Sequence, residues 1–547
     1  MTVHRIANSY VDAYARLAPT TATALGIPGY DDQLPDLSPE GCAARAELAR
    51  RALREVADVE PADERERVAK AVFTERLGID NEIYDAGLVE GDLNVLASAP
   101  QDLRETFDLM PANTEEDWAT IATRLSRLPA TMASYQAGLR YAAERGHVSA
   151  RRQVAKVADQ CAKWGEGFFA EFAAGGPDSL RAELDAGAAA ASRAYTDLAA
   201  FLRTELLPKG PAKDAVGEEV YRLFSRRYLG AALDLREAYE WGWAEFGRLE
   251  AEMKETADRI KPGAGLAEAA EALDADPRYQ VRGVAEFRDW MQRLSDQALA
   301  DLRGTHFDIP DEIMRLDCRI APPGGSAGAY YTHPSDDFTR NGAMWWALPP
   351  DKDSFTTWRE VSVVYHEGVP GHHMQIATAM YQAERLNKFQ RMLAWVPAYS
   401  EGWALYAERL MREFGYLTDD GDLYGMLNEN LFRAARVIID IGMHLELEIP
   451  AGTGFHEGER WTPELGLEFM LTRTITEREL VVDEVDRYLG WPGQAPAYKL
   501  GERLWLSARE EARARRGADF DLKDFHMQAL YLGQMGLDTL REQLAAL

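Results

Sequence analysis

Most of the chain has apolar residues at three- and four-residue spacing, which is typical of amphipathic helices. The segments with this spacing are rich in Ala, Leu, Arg and Glu, which are good helix formers. Long helices without strand patterns over roughly the first 300 residues favour a large helical body. We therefore predict a mainly α fold, with helices over 43–57, 66–80, 115–145, 150–172, 179–206 and 232–260.

One region departs from this helical pattern. Segments 313–320, 328–333 and 343–348 are β-branched or aromatic runs separated by Pro, Gly, Asp and Asn. Such runs predict a small antiparallel sheet. This sheet comes directly before a predicted helix over 355–385, which carries the most informative motif of the chain.

The predicted organisation is therefore one continuous architecture with three consecutive parts. A mostly helical body covers 1–310, the small sheet covers 311–350, and a second helical part covers 351–547. The breaks between helices carry Pro and Gly. They lie at 207–216, 260–266, 320–327, 449–455 and 490–497.

Composition and charge narrow the function classes. A hydrophobic content of 46% in 547 residues indicates a chain that buries a core, which excludes wholesale disorder. The net charge of −29 repels phosphate backbones and anionic lipid surfaces, so we expect no nucleic-acid or membrane partner. No stretch approaches the roughly 20 apolar residues of a membrane span.

The cysteines indicate the compartment. Only Cys42, Cys161 and Cys318 occur, and they are widely spaced. A sparse, odd set fits neither a disulfide framework nor a Cys-rich zinc ribbon, and it is typical of a reducing compartment. The sequence thus predicts a cytoplasmic protein.

The candidate chemistry lies in the predicted helix 355–385. His366, His372 and His373 are three of the ten histidines of the chain, and Glu367 follows the first of them directly. A catalytic zinc ion prefers neutral imidazoles and a carboxylate as three protein ligands and keeps its fourth position for water. A neighbouring glutamate that is not a ligand can then accept a proton from that water. The cluster therefore predicts one zinc ion per chain.

The spacing of the histidines differs from the usual H-E-x-x-H helix, in which the ligands are four residues apart. His372 and His373 follow His366 by six and seven residues. On an ideal helix, seven residues rise about 10.5 Å, which is a long reach for two imidazoles on one ion. Pro370 and Gly371 favour a kink or bulge that shortens this distance. The argument favours His372 over His373 as second ligand, and both remain candidates.

A third ligand is expected from the next helix, predicted over 397–414. Glu401 lies in its first turn and Glu408 lies two turns further on the same face. Both residues also have ordinary explanations. Acidic residues favour helix N-termini, and Glu408 is spaced to pair with Arg412 as a solvated ion pair.

Several motifs together resemble a large bacterial family of unknown function that is marked by a HExxPGHH helix. They are Ala22 to Gly41, GAYYTHPSDDFTRNGAMWW, HEGVPGHHMQ, SEGWALYAERL, RVIIDIGMH and Trp491 to Gly501. The family looks related to the all-helical gluzincin metallopeptidases, such as thimet oligopeptidase and carboxypeptidase Taq. In those enzymes, the edge strand of a small sheet pairs with the substrate backbone.

The resemblance implies a role for particular residues. His366, one of His372 and His373, and Glu401 would be metal ligands, with Glu367 as general base. The strand residues Gly328, Ala329, Tyr330 and Tyr331 would line the substrate.

Four further residues are candidates for contacts to the oxyanion or the substrate. A Tyr498 hydroxyl is a suitable oxyanion donor, and His444 is the other catalytic candidate. Arg487 or Lys499 could hold a substrate carboxylate. His444 is equally well explained as a core histidine, and Lys499 is better explained as a surface or cap residue.

These features favour a zinc-dependent hydrolase, and specifically a metallopeptidase that acts on short peptides. Two alternatives stay open. The same site could hydrolyse a non-peptide amide or ester, or the chain could be a catalytically silent helical protein with a structural ion. Glu367 argues against the silent protein, because a structural site needs no base.

Overall fold

The computed structural model describes residues 2–321, 328–335, 337–349 and 352–547. It confirms the mainly α fold with small sheets. The chain forms two compact units. The first contains 1–216 and 483–492, and the second contains 217–482 and 493–547. These units group the chain differently from the three consecutive parts expected from the sequence.

The first unit is built from helices around one hydrophobic core. Buried residues of this core include Leu125, Leu128, Tyr195 and Leu198. Its helices are α1 (Val3–Leu17), α2 (Pro19–Ala24), α3 (Pro39–Ala57), α4 (Glu64–Asp85), α5 (Ala99–Leu109), α6 (Glu115–Glu144), α7 (Arg151–Lys163), α8 (Phe169–Ala174) and α9 (Arg181–Phe201).

The predicted helices of this unit form, with local interruptions. Helix α6 begins at a capping box, in which Thr114 accepts from the N–H of Asp117 and the Asp117 carboxylate accepts from the N–H of Thr114. The helix predicted over 150–172 contains a π-helical turn at Trp164–Phe168. The helix predicted over 179–206 ends in another such turn at Leu202–Leu206.

The second unit contains the remaining helices, of which α19 also extends into the first unit. They are α10 (Glu218–Leu229), α11 (Leu235–Ile260), α12 (Leu266–Ala275), α13 (Val284–Leu302), α14 (Thr357–Glu367), α15 (His372–Tyr381), α16 (Pro397–Glu413), α17 (Asp420–Leu445), α18 (Pro463–Arg473), α19 (Arg478–Gly490), α20 (Ala497–Arg516), α21 (Leu522–Leu530) and α22 (Leu537–Ala546).

Glycines allow the helices of the second unit to approach closely. A Cβ at Gly425 of α17 would lie 1.8 Å from the carbonyl oxygen of Trp358 in α14. A Cβ at Gly402 of α16 would lie 2.5 Å from the Cα of Gly501 in α20. Because no larger residue fits at these crossings, the glycines fix the spacing of the helices that carry the candidate site.

The predicted small sheet forms, but it is mixed. Its strands are β2 (Leu316–Ile320), β3 (Gly328–Thr332) and β4 (Gly342–Ala347), in the order β2-β4-β3. Strands β3 and β4 are antiparallel, whereas β2 and β4 are parallel. The expectation of a purely antiparallel sheet was wrong, because the chain reverses twice between β2 and β4 and leaves β3 at the far edge.

A second, two-stranded sheet was not predicted from the sequence. Strand β1 (Gln280–Arg282) pairs antiparallel with β5 (Ser354–Thr356). Each strand has three residues, which is too short for an alternating pattern to be recognised. Strand β5 leads directly into α14, and Trp346 of β4 donates to the Glu360 carboxylate of that helix (3.1 Å). Both sheets therefore border the start of the helix with the histidine motif.

Candidate metal centre

Three side chains from the helices α14, α15 and α16 meet in a candidate metal centre. The ligand atoms of His366, His372 and Glu401 all lie within 4.8 Å of one another. The Glu401 Oε2 atom is 3.2 Å from His366 Nε2 and 3.5 Å from His372 Nε2. Among the residues that the structure describes, these three form the one such group.

An interruption of the predicted helix 355–385 brings the two histidines together. Helix α14 ends at Glu367, and α15 begins at His372. The Gly371 N–H donates to the carbonyl of Tyr365 (3.1 Å), which returns the chain toward the end of α14. The rings of His366 and His372 have centroids 4.9 Å apart as a result.

The residues between these helices are held by specific contacts. The Trp403 indole N–H of α16 donates to the carbonyl of Pro370 (2.8 Å). A Cβ at Gly371 would lie 1.9 Å from the carbonyl oxygen of His366. The connection therefore requires glycine at 371, and it is anchored to the helix that carries Glu401.

Glu408 supports His366 from inside the protein. Its Oε1 lies 2.8 Å from His366 Nδ1, and its Oε2 accepts a hydrogen bond from the Ser362 hydroxyl. The side chain is 1% exposed. The explanation of Glu408 as a solvated partner of Arg412 was therefore wrong, and Arg412 pairs with Glu252 instead. A carboxylate that accepts from Nδ1–H leaves the Nε2 lone pair of His366 for a metal.

Glu367 lies at the end of α14, next to His366. It is buried, and its Oε2 has no hydrogen-bond partner among the described residues. Burial raises the pKa of this carboxyl, and the neighbouring His372 and His366 oppose the shift. An unpaired oxygen of this kind is suited to accept a proton from a bound water.

The carboxylates also determine the charge of His366. Burial lowers the pKa of His366, but hydrogen bonds to Glu401 and Glu408 outweigh it and raise the pKa to about 10. Burial likewise opposes ionisation of Glu401, but His372 and His366 hold its pKa well below the usual range. The site therefore favours a positive charge between these side chains, and a bound cation would replace the proton.

His373 points away from the ligand group. Its Nδ1 lies 2.9 Å from the Tyr331 hydroxyl of β3, and its Nε2 lies 2.7 Å from the carbonyl oxygen of Ile313. Burial lowers the pKa of His373 to about 4, so the ring is neutral near pH 7. His372 and His373 were both candidates for the second ligand. The structure places His372 beside Glu401, whereas both ring nitrogens of His373 contact Tyr331 and Ile313.

Strand β3 carries the four residues expected to line a substrate. Gly328 and Tyr330 are exposed, and Ala329 and Tyr331 are partly buried. The ring of Tyr330 stacks on Trp345 of β4, with centroids 6.1 Å apart. One edge of β3 pairs with β4, and no other described strand pairs with its second edge.

Two other candidates have mainly structural surroundings. His444 is fully buried, and its ring packs against Tyr221 at 5.6 Å. Arg487 belongs to the first unit, where it pairs with Glu484 at 3.0 Å.

Lys499 is neither a surface residue nor a cap, which corrects the explanation favoured from the sequence. Its ammonium group is fully buried and pairs with Glu245 at 3.0 Å and with Glu502. It also donates to Asn430 (3.2 Å). Because these partners enclose the charge, Lys499 holds helices together and has no evident freedom to bind a substrate carboxylate.

Tyr498 lies beside two arginines that sequence reasoning missed. The guanidinium groups of Arg436 and Arg433 lie 4.7 Å and 5.7 Å from the centre of its ring. Arg433 is largely buried, pairs with Glu429, and interacts electrostatically with Glu408. The only sequence signal for these arginines was their position on a strongly apolar helix, where a buried charge needs a partner.

The donor set fits a catalytic zinc ion. Two imidazole Nε2 atoms and one carboxylate are the three protein ligands of one common class of zinc hydrolase sites. His366 has the buried carboxylate partner that orients ligating histidines, whereas His372 Nδ1 is buried without a hydrogen-bond partner among the described residues. The unpaired Oε2 of Glu367 adds a proton acceptor beside the ligands.

Comparison with known families identifies the chain. Residues 19–544 match the model of a family described as "Bacterial protein of unknown function (DUF885)". The chain belongs to this DUF885 family. No curated protein matches it.

Two solved structures share the fold. One is a "putative lipoprotein" from Colwellia psychrerythraea, with 23% identity and a TM-score of 0.86, covering 100% of this chain and 98% of that one. The other is a "putative lipoprotein of unknown function" from Shewanella oneidensis, with 18% identity and a TM-score of 0.73, covering 99% of each chain. In the described part of this DUF885 chain, no helix is long and apolar enough to cross a bilayer.

Proposed function

We propose that this DUF885 protein is a zinc-dependent hydrolase and that its substrates are short peptides. The observation that carries the proposal is the convergence of His366, His372 and Glu401 beside the buried carboxylate of Glu367. We also propose kinship with the gluzincin metallopeptidases. Its support is the pairing of two histidines with a glutamate from the following helix, and the small sheet beside the first histidine.

The chemistry divides between the ion and the chain. A zinc ion bound at this donor set supplies Lewis acidity, which lowers the pKa of water toward 7. Glu367 accepts the proton of the attacking water at its unpaired Oε2 and later donates it to the leaving amine. Glu408 keeps the Nδ1 proton of His366 in place, so that Nε2 faces the ligand group throughout.

Strand β3 supports the choice of a peptide substrate. Its second edge has no strand partner among the described residues, so its backbone groups can pair with an extended chain. The partly exposed Tyr498, with Arg436 and Arg433 against its ring, is the candidate for contacts to a developing oxyanion. Peptides suit such a strand better than compact esters do, since every residue of a peptide offers backbone donors and acceptors.

Metal analysis and turnover together test the proposal. The purified protein should contain one zinc ion per chain and cleave members of a short-peptide library, and a chelator should abolish cleavage until zinc is restored. Cleavage of small esters or non-peptide amides with no peptide turnover would place the activity in another hydrolase class. Zinc binding without any turnover would contradict the enzymatic proposal.

The cytoplasmic location stays a prediction. Cys42, Cys161 and Cys318 are free and buried, which fits a reducing compartment. The two similar structures, by contrast, carry the name lipoprotein.

A further inference from the structure

A hydrogen bond links the edge strand to the helix that carries the second histidine of the ligand group. The hydroxyl of Tyr331 on β3 lies 2.9 Å from Nδ1 of His373 on α15. The rings meet at a steep angle, with centroids 5.6 Å apart. His373 is 1% exposed, so this contact lies in the interior. The strand and the residue after His372 are thus connected directly.

The direction of each hydrogen bond follows from the second contact of His373. The carbonyl oxygen of Ile313, 2.7 Å from Nε2, can only accept, so Nε2 carries the proton. The Nδ1 atom of the neutral ring is then an acceptor, and the Tyr331 hydroxyl donates to it. The proton of this hydroxyl is therefore committed to His373 and is not offered to a substrate.

The neighbouring strand leaves space for this contact. A Cβ at Gly342 of β4 would lie 2.1 Å from the Tyr331 hydroxyl oxygen and 2.9 Å from His373 Nδ1. Even the smallest side chain at 342 would therefore displace both partners. Glycine at this position is explained by the contact, since Gly342 has no positive φ that would require it.

The two faces of β3 differ in what they contact. Tyr331 faces inward, where Met344 is its partner across the strand pair. Tyr330 faces the opposite way, stacks on Trp345 and is 40% exposed. The inward tyrosine connects the strand to α15. The hydrogen bond of Tyr331 thus ties the edge of β3 that faces away from β4 to the helix that begins at His372.

We propose that His373 is a positioning residue, which holds β3 through Tyr331 and so sets the register of an extended peptide on the edge of that strand that faces away from β4. The peptide substrate in this proposal rests on the proposed function, whereas the contact between Tyr331 and His373 does not. In this account His373 does not bind the metal. Its role is to couple the substrate strand to the neighbouring ligand His372.

The test uses full-length protein and measures metal binding, strand stability and catalysis separately. Tyr331→Phe removes the hydroxyl. Gly342→Ala pushes the two partners apart while both keep their own side chains. Tyr195→Phe is the matched control, since it also removes a buried tyrosine hydroxyl that donates to a single acceptor, the carbonyl of Pro100. The readouts are zinc affinity by chelator competition, amide hydrogen exchange over 328–332, and KM and kcat for a cleaved peptide.

We expect Tyr331→Phe and Gly342→Ala to speed exchange over 328–332 and to raise KM about three- to tenfold, the range expected for one lost hydrogen bond. Zinc affinity should stay within about threefold of wild type, in these variants and in His373→Gln. His372→Gln should weaken zinc binding by more than about tenfold. The Tyr195→Phe control should leave the exchange of 328–332 unchanged.

Three outcomes would overturn the proposal. They are unchanged exchange over 328–332, an unchanged KM for peptide, and a loss of zinc affinity in His373→Gln as large as in His372→Gln. A wild-type protein that binds zinc but cleaves no peptide would contradict the proposed function alone. The exchange and zinc measurements would still decide whether His373 positions β3.

Discussion

The buried carboxylate of Glu408 decides which nitrogen of His366 faces the ligand group. It accepts from Nδ1 at 2.8 Å, and the Ser362 hydroxyl donates to its second oxygen. Glu401, which is 20% exposed, contacts the opposite nitrogen of the same ring. The two glutamates of α16 thus act on one histidine in different ways, one as a ligand candidate and one as its support.

This difference predicts unequal effects on zinc binding. Glu401→Ala removes a ligand candidate and should lower zinc affinity more than Glu408→Ala does. Glu408→Ala should cost about 10- to 100-fold in zinc affinity or activity, as is typical when the carboxylate behind a ligating histidine is lost. Chelator competition on both purified variants measures the two affinities.

A matched variant tests the geometry of this support. Ser362→Ala removes only the hydroxyl that holds Glu408 and should have a smaller effect than Glu408→Ala. If zinc affinity responds to Glu408→Ala more strongly than to Glu401→Ala, Glu401 is not a ligand.

The sequence indicated the ligand candidates because three of its ten histidines lie within eight residues of one another, beside a glutamate. It could not show the role of Glu408, since an i,i+4 arginine offered a simpler partner. Nor could it show that Lys499 is enclosed by Glu245 and Glu502. Glu245 lies on a different helix, and the burial of Lys499 with Glu502 depends on how the helices pack.

At the scale of elements, the break between α14 and α15 shapes the candidate centre. The sequence indicated a departure from helix at Pro370 and Gly371, because proline cannot donate to the carbonyl of His366. The structure shows two separate helices, with the N–H of Gly371 turned back to Tyr365. The strand order of the sheet was not predictable in the same way, since local patterns do not specify which strands are neighbours.

Gly371→Ala tests the importance of this break. The added Cβ would lie 1.9 Å from the carbonyl oxygen of His366 and 2.5 Å from that of Tyr365, so the connection must move. We expect a loss of stability of about 1–3 kcal/mol, the usual cost of overpacking, together with weaker zinc binding. Denaturant unfolding of the metal-free protein and chelator competition measure the two effects.

Gly247→Ala is the matched control for this variant. Gly247 lies within α11, and a Cβ there has no neighbour within 4 Å. The substitution should stabilise the protein by about 0.5–1 kcal/mol, because alanine is the better helix former. Unchanged zinc affinity in Gly371→Ala would show that the ligand geometry does not depend on this connection.

At the scale of the whole molecule, a buried charge cluster helps to hold the second unit together. Lys499 of α20 pairs with Glu245 of α11 and with Glu502, which also binds Arg409 of α16 at 2.9 Å. Burial opposes the ionisation of Glu245, but Arg248 and Lys499 outweigh it and lower its pKa to about 2. The ordinary value for glutamate is near 4.3, so the folded state favours the charged form.

This cluster predicts a dependence of stability on pH. Because the folded pKa of Glu245 is depressed, its contribution is fully present above about pH 4.5 and is lost as the pH falls toward about 2. Glu245→Gln should therefore destabilise the protein by at most about 3 kcal/mol near pH 7, and by less at about pH 3. Urea unfolding at both pH values measures the difference.

Glu60→Gln is the control, because Glu60 is an exposed glutamate of the first unit. It should change stability little at either pH. A Glu245→Gln effect that stays constant or grows as the pH falls would show that the cluster does not hold the carboxylate in its charged form. The sequence predicted some of the helices of this unit, such as 232–260 and 397–414, but the pairing of their buried charges depends on the packing.

The most direct measurement for the whole account is peptide turnover by zinc-loaded Glu367→Gln. The variant keeps the size of the side chain and every ligand candidate, but its amide cannot accept a proton from water. We expect zinc content equal to that of wild type and a fall in kcat of about 10²- to 10⁴-fold, the usual cost of losing a positioned general base. Full activity in a variant that is shown to hold one zinc ion per chain would contradict the account.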